Sequence, residues 1–282
     1  MHEPEDHSTD TSALPGHTPT PDSAASTLFT AADGDTAKQH AVDRSIAAHH
    51  TLAAMPGVQF ASDATIAIVL HPGFELLDVV GPFHFLAGTG ATVHLATTSD
   101  TLDPVPSGGG VTLTPTITLN DVNAPLAVLL VPGGDTGILL RDTRAIANIQ
   151  RLSEDARYVT SVCSGSIALA AAGLLDGRRA TSHWSVRHLL PGYGAIDVNE
   201  RVVEDGNRLT AAGVTAGMDL GIHLVSYLCG DALARFAVLG AEYAPEPPFE
   251  TGTPERAGAD LTALSRDFLA PLEEELRAQP SR

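Results

Sequence analysis

From residue 64 onward, short apolar runs alternate with amphipathic ones. "ATIAIVL" (64–70) is β-branched and bounded by "HPG", the pattern of a buried strand. "LLDVVGPFHFLAG" (76–88) reads as a helix with Pro82 as an irregularity. "ATVHLATT" (91–98) alternates as a strand does. "VPSGGGVTLTPTITL" (105–119) joins glycine turn signals to threonine alternation and predicts a hairpin. "LAVLLVPGG" (126–134) is an apolar strand ending in a glycine turn. A helix is expected around 143–156, then the strand "RYVTSVC", a helix from Ser164 to about Leu175, and a short strand starting at "RATSHW". "RVVEDGNRLTAAG" (201–213) predicts a hairpin about Asp205-Gly206. Residues 215–228 and 231–243 read as helices. Strands alternating with helices predict an α/β fold, a mainly parallel sheet with helices on both faces.

Two flanking regions depart from this rhythm. Residues 1–60 are rich in Ser, Thr, Pro, Asp and His, lack sustained apolar periodicity, and read as a disordered tail before a domain spanning 61–254. His2, His7, His17, His40, His49 and His50 lie in the tail at spacings that match no metal site. Met55, just ahead of the first strand, is a candidate internal start of translation. Residues 255–282 read as a C-terminal helical extension. Leu261, Leu264, Phe268, Leu272 and Leu276 fall at helical spacing there, with Pro271 expected to interrupt or kink it. That stripe is expected to dock on the core or on a dimer partner.

Composition narrows the function classes. The formal net charge is −18 and Lys38 is the single lysine, a balance that repels phosphate backbones and argues against nucleic-acid binding. No apolar run reaches the length of a membrane span. The N-terminus has neither a basic start nor an apolar h-region, and Cys163 and Cys229 are too few for a disulfide framework. The expectation is a cytoplasmic protein with reduced thiols.

Candidate chemistry gathers where strands end. "YVTSVCSGSIALAAAGLL" puts Cys163 at a strand's carboxyl end, just before a helix, where parallel sheets bind ligands. Ser164, Gly165 and Ser166 permit a sharp turn resembling a nucleophile elbow, with Ser161 where that motif has glycine. A helix N-terminus favours a thiolate, so a lowered thiol pKa is expected. Cys229, before a glycine C-cap, reads as structural. Asp78, among Leu76, Leu77, Val79 and Val80, reads as a desolvated acid held protonated as a donor. His183 is a second candidate partner, or a packed residue with its nitrogens satisfied. The amide of either Gly133 or Gly134, combined with that of Ser164, makes a candidate oxyanion hole.

Five ordered motifs, "LDVVGP", "VPGG", "RYVTSVCSGSIALAAAGLLDGRRATSHW", "ERVVEDGNRLTAAGVTAGMDLG" and "EYAPEPPFETGTP", resemble the ThiJ/PfpI group of the class I glutamine-amidotransferase-like superfamily. Within it they are most similar to the isonitrile hydratase branch. The resemblance spans about residues 64 to 254. It implies a flavodoxin-like sandwich and a homodimer, with Cys163 as nucleophile, Asp78 as its acidic partner, and no metal or organic cofactor. Ser164 stands where the branch has a functional threonine. The residue after the cysteine is not His, as in the peptidase-like members, and no Glu lies two residues beyond His223, as an amidotransferase triad requires. The implied reaction is hydration of an isonitrile, a small electrophile, to an N-substituted formamide through a cysteine thioimidate. A glyoxalase-like enzyme and a non-enzymatic thiol stress sensor are the alternatives.

Overall fold

The computed structural model describes residues 36–278. At its centre lies a seven-stranded sheet. Strand β1 (Thr65–Leu70) leads into helix α1 (Leu76–Leu86), and strand β2 (Thr92–Thr97) follows. A two-residue ladder, β3 (Val105–Pro106) with β4 (Thr112–Leu113), precedes β5 (Ile117–Thr118). Then come β6 (Val128–Val131), α2 (Thr136–Arg141), α3 (Thr143–Glu154), β7 (Tyr158–Val162) and α4 (Gly165–Ala171). Strands β8 (Arg179–Ala180) and β9 (Ile196–Asp197) pair outside the main sheet, and β10 (Val202–Asp205) with β11 (Arg208–Ala211) forms a hairpin. Helices α5 (Ala216–Cys229), α6 (Asp231–Gly240), α7 (Pro254–Ala257) and α8 (Ala259–Arg277) complete the domain.

The sheet order is β10-β11-β7-β6-β1-β2-β5, parallel throughout except for the β10–β11 hairpin. Its central strands read as unbroken apolar runs because both faces are covered. Five of the six residues of β1 and all four of β6 are buried. One face packs on α3 and α4 through Ile149, Leu152, Ile167 and Leu169. The other packs on α1 and α5 through Val79, Leu86, Leu220 and Leu224. Gly217 and Gly221 let α5 lie against Pro82, since a Cβ on Gly221 would stand 3.0 Å from the Pro82 Cα. The chain builds outward from β1 to β5, then returns to β6 on the other side of β1. The carboxyl ends of β1 and β6 therefore flank a topological switch point.

Four segments differ from the sequence reading. Residues Thr36–Ala53, read as tail, form a helix, N-terminal to and separate from those numbered above. Its C-terminal end is anchored where Leu52 is buried and His49 stacks on Phe60 at 5.1 Å. The remainder of the tail, including His2, His7 and His17, lies outside the described residues. The segment 105–119 is a hairpin only at its start, because Ile117 and Thr118 join β2 in parallel. Helix α4 stops at Ala171, with Gly173 at φ +74° turning the chain. Helix α8 runs through Pro271, and its stripe divides. Leu276 is buried, whereas Leu264 and Phe268 are 67% and 83% exposed.

Candidate functional site

Strand β7 ends at Val162, and Cys163 turns the chain with φ +58°, a region that side chains rarely enter. Such a conformation costs about 1–2 kcal/mol and needs support. Here the Cys163 N–H donates to the Ala212 carbonyl at 2.8 Å, and its carbonyl accepts from Ser182 Oγ at 2.9 Å. Gly165 then packs against β6 so closely that a Cβ would stand 2.2 Å from the Val131 carbonyl oxygen. The small residues of "CSGS" are what the turn and this close approach require.

Asp78 sits in the first turn of α1, fully buried. Its Oδ2 accepts the Gly133 N–H at 2.8 Å, and its Oδ1 has no partner. Burial raises its pKa well above the usual carboxylate range, partly offset by the Gly133 bond. Gly133 in turn touches the thiol residue, since a Cβ there would lie 2.8 Å from Cys163 Cβ and 2.6 Å from Ser164 Oγ. Asp78, Gly133, Cys163 and Ser164 thus form one contiguous group. Gly134, at φ +107°, lets the edge loops after β1 and β6 close on each other. Across that seam the Glu75 N–H donates to the Gly133 carbonyl and the Asp135 N–H to the Gly73 carbonyl, each at 2.9 Å.

The thiol differs from the sequence expectation. Cys163 is 7% exposed and its pKa is raised, first by burial and then by the nearby Asp78 charge. The Ser164 and Val214 amides and the Ser164 hydroxyl act in the opposite direction but are outweighed. A helix N-terminus favours a thiolate only where water or a cation shares the burden, and this sulfur has little of either. The amides reaching the sulfur are those of Ser164 and Val214. Gly133, expected to face an oxyanion, spends its N–H on Asp78.

Ser164 is buried, and its Oγ lies 2.6 Å from Thr136 Oγ1 at the start of α2. Thr136 escaped sequence reasoning, although it follows the glycine turn directly. Ser182 and the Val214 amide escaped it too, because both reach Cys163 from distant segments. His183 comes close to the site without bonding the thiol. Its ring packs on Gly213, where a Cβ would stand 2.7 Å from Cδ2. Its Nδ1 lies 2.8 Å from Ser185 Oγ and 3.3 Å from the Ser185 N, and burial lowers the pKa of the ring. Ser182, His183, Trp184, Val214, Thr215 and Pro254 help line a cleft of about 450 Å³. Cys229 is buried near Thr89 with its pKa pushed up to about 11, as suits a packed thiol. Among the described residues no three His, Cys, Asp or Glu side chains converge as metal ligands.

The sequence pattern of the DJ-1/PfpI family matches residues 64–227. The chain belongs to the DJ-1/PfpI family. An isonitrile hydratase from Pseudomonas putida is 44% identical over 208 residues, 73% of this chain and 90% of that protein. A deglycase from Thermococcus kodakarensis is 30% identical over 144 residues, covering 50% of this chain and 86% of the relative. Among solved structures, a ThiJ/PfpI family protein from Pseudomonas syringae superposes with a TM-score of 0.76 at 38% identity, covering 81% of this chain and 94% of its own. The flavodoxin-like α/β fold expected from the sequence is that of this family. Its matched span holds Asp78, Gly133, Gly134, Cys163, Ser164 and His183, and ends before α6, α7 and α8. No helix among the described residues is long and apolar enough to cross a membrane.

Proposed function

We propose that this protein hydrates an isonitrile, R–N≡C, to the formamide R–NH–CHO, with Cys163 as nucleophile and Asp78 as a proton relay. The observation that carries the reading is the buried acid joined through one glycine to a thiol in a strained turn. The 44% identity to an isonitrile hydratase supports the substrate class.

A neutral thiol and a protonated acid suit this reaction better than a thiolate does. Asp78 gives the proton on its unpartnered Oδ1 to the terminal carbon as the sulfur adds to that carbon. The carboxylate so formed takes the proton released by the thiol. The net change is addition of S–H across the isonitrile carbon, giving Cys–S–CH=N–R, with Asp78 protonated again. Water then adds to the thioimidate carbon, its second proton going to nitrogen. The C–S bond breaks, the hydroxyl proton returns to sulfur, and R–NH–CHO leaves. The Ser164 and Val214 amides stabilise charge on sulfur during these steps. The Thr136–Ser164 hydrogen bond positions the hydroxyl beside it.

Incubation with cyclohexyl isocyanide, followed by mass spectrometry of N-cyclohexylformamide, tests the proposal. Wild type forms product and Cys163→Ala does not. Equal product from the two proteins would sink it. The deglycase relative favours a second reading, a glyoxalase-like activity, for which lactate formed from methylglyoxal is the discriminating product. The low exposure of the sulfur weighs against a peroxide sensor. A homodimer in the cytoplasm, with no cofactor, is part of the same proposal. Light scattering at twice the chain mass is the expected result.

A further inference from the structure

We propose that the cleft beside Trp184 receives the organic substituent of the isonitrile, and that the C-terminal segment selects an uncharged, bulky ring there; this rests on the reading above. Three residues that line the cleft also touch Cys163. Ser182 Oγ donates to its carbonyl, the Ala212 carbonyl accepts its N–H, and the Val214 amide reaches its sulfur. The cleft therefore adjoins the turn that carries Cys163. His183, packed on Gly213, and the partly exposed Trp184 supply flat surfaces on its walls. A second cavity of about 570 Å³ shares His183 and Trp184 and continues along Leu264, Phe268 and Leu269 of α8. Arg266 lies over the Trp184 ring at 5.5 Å and ties α8 to this wall.

The two guanidiniums of the cleft are already engaged. Arg187 meets Asp197 at 2.7 Å, and Arg201 meets Asp219, with Thr215 at 3.2 Å. Neither guanidinium is left for an anionic substituent, so the space suits an uncharged one. Residues 252–255 and α8 build the outer walls, and both lie beyond the span matched by the family. Ring selection is thus shared between Trp184 and the C-terminal segment that closes the outer wall.

Trp184 is the sole tryptophan, so selectively excited tryptophan emission reports on this cleft alone. In Cys163→Ala, N-cyclohexylformamide is expected to change that fluorescence saturably, and N-methylformamide at the same concentration is not. In turnover, Trp184→Ala lowers the ratio of kcat/KM for cyclohexyl over methyl isocyanide about tenfold, the scale of a lost apolar subsite. Leu264→Ala lowers it by less, and Trp184→Phe keeps most of it. Flat fluorescence with both amides, or an unchanged ratio in Trp184→Ala, overturns the inference while leaving hydration intact. If wild type hydrates neither isocyanide, the proposed activity falls, and fluorescence alone decides whether the cleft takes a ring.

Discussion

Burial opposes the ionisation of both Asp78 and Cys163, and the Asp78 charge further opposes that of the thiol, so the pH behaviour of the site follows from their burial. Both pKa values are raised, each first of all by burial. With Asp78 as relay, kcat/KM is flat near neutral pH and falls at alkaline pH as the acid ionises. A thiolate mechanism would instead give a rate that climbs with pH, and that profile would exclude the relay. Asp78 also bears on stability. In the unfolded chain an aspartate titrates near pH ~4, below its folded value. Its contribution is therefore complete below that pH and is lost as pH rises through the folded pKa. Asp78→Asn keeps an oxygen for the Gly133 N–H and removes the ionisation. Urea denaturation at pH 8 is expected to show it more stable than wild type by roughly 1–2 kcal/mol. Its kcat falls by about 10²–10⁴, the usual worth of a general acid. Asp78 was legible as a buried acid because four apolar neighbours surround it in sequence. The raised pKa of Cys163 was not, because the burial that causes it comes from segments far along the chain.

At the scale of elements, the turn joining β7 to α4 depends on how near it stands to β6. A methyl group on Gly165 would press on backbone atoms of Val131 and Pro132, which cannot swing aside as a side chain could. Gly165→Ala is expected to lose on the order of 3 kcal/mol, read from the urea midpoint, with activity lost in the fraction that still folds. Gly177→Ala is a useful comparison, since its φ of +67° is strained but no atom lies within 4 Å of the added carbon. It should cost about 1–2 kcal/mol and leave turnover intact. Elements bounded by local chemistry were plain in the sequence. The β10–β11 hairpin has Gly206 at φ +63° in its turn, and α3 begins where Asp142 Oδ1 accepts the Ala145 N–H at 2.9 Å. Pairings between distant segments were not. β5 joins β2 through Thr116, whose N–H donates to the Leu95 carbonyl at 2.9 Å and whose Oγ1 accepts the Leu95 N–H at 3.0 Å. Threonine alternation alone does not say which neighbour it will meet. Residues 36–53 were missed for the related reason that their few apolar positions show no stripe, and their burial rests on Leu52 and His49 near one end.

For the whole molecule, the switch point between β1 and β6 gathers the loops that carry Asp78 and Gly133, and the adjacent β7 brings Cys163. The C-terminal helix then closes over the far side of α2, the short helix that begins with Thr136. Leu276 is fully buried there, Tyr193 donates its hydroxyl proton to the Leu276 carbonyl at 2.5 Å, and Glu275 pairs with Arg141 of α2. Glu273 accepts from Arg277 at 2.5 Å and lies 3.0 Å from His188. The end of α8 is thus fastened to the scaffold while its first half stands exposed beside Trp184. Removing the fastening should act at both places. Leu276→Ala leaves a cavity beneath the helix and is expected to cost about 2–5 kcal/mol, measured by urea unfolding. Amide exchange should quicken in α8 and α2 before it does in α5, which packs on the opposite face. Because α2 carries Thr136, the Ser164 hydroxyl loses its fixed partner, and kcat should fall at temperatures where the sheet is still folded. Exchange that rises uniformly across all helices would mean instead that α8 is integral to the core and has no separate influence on the site.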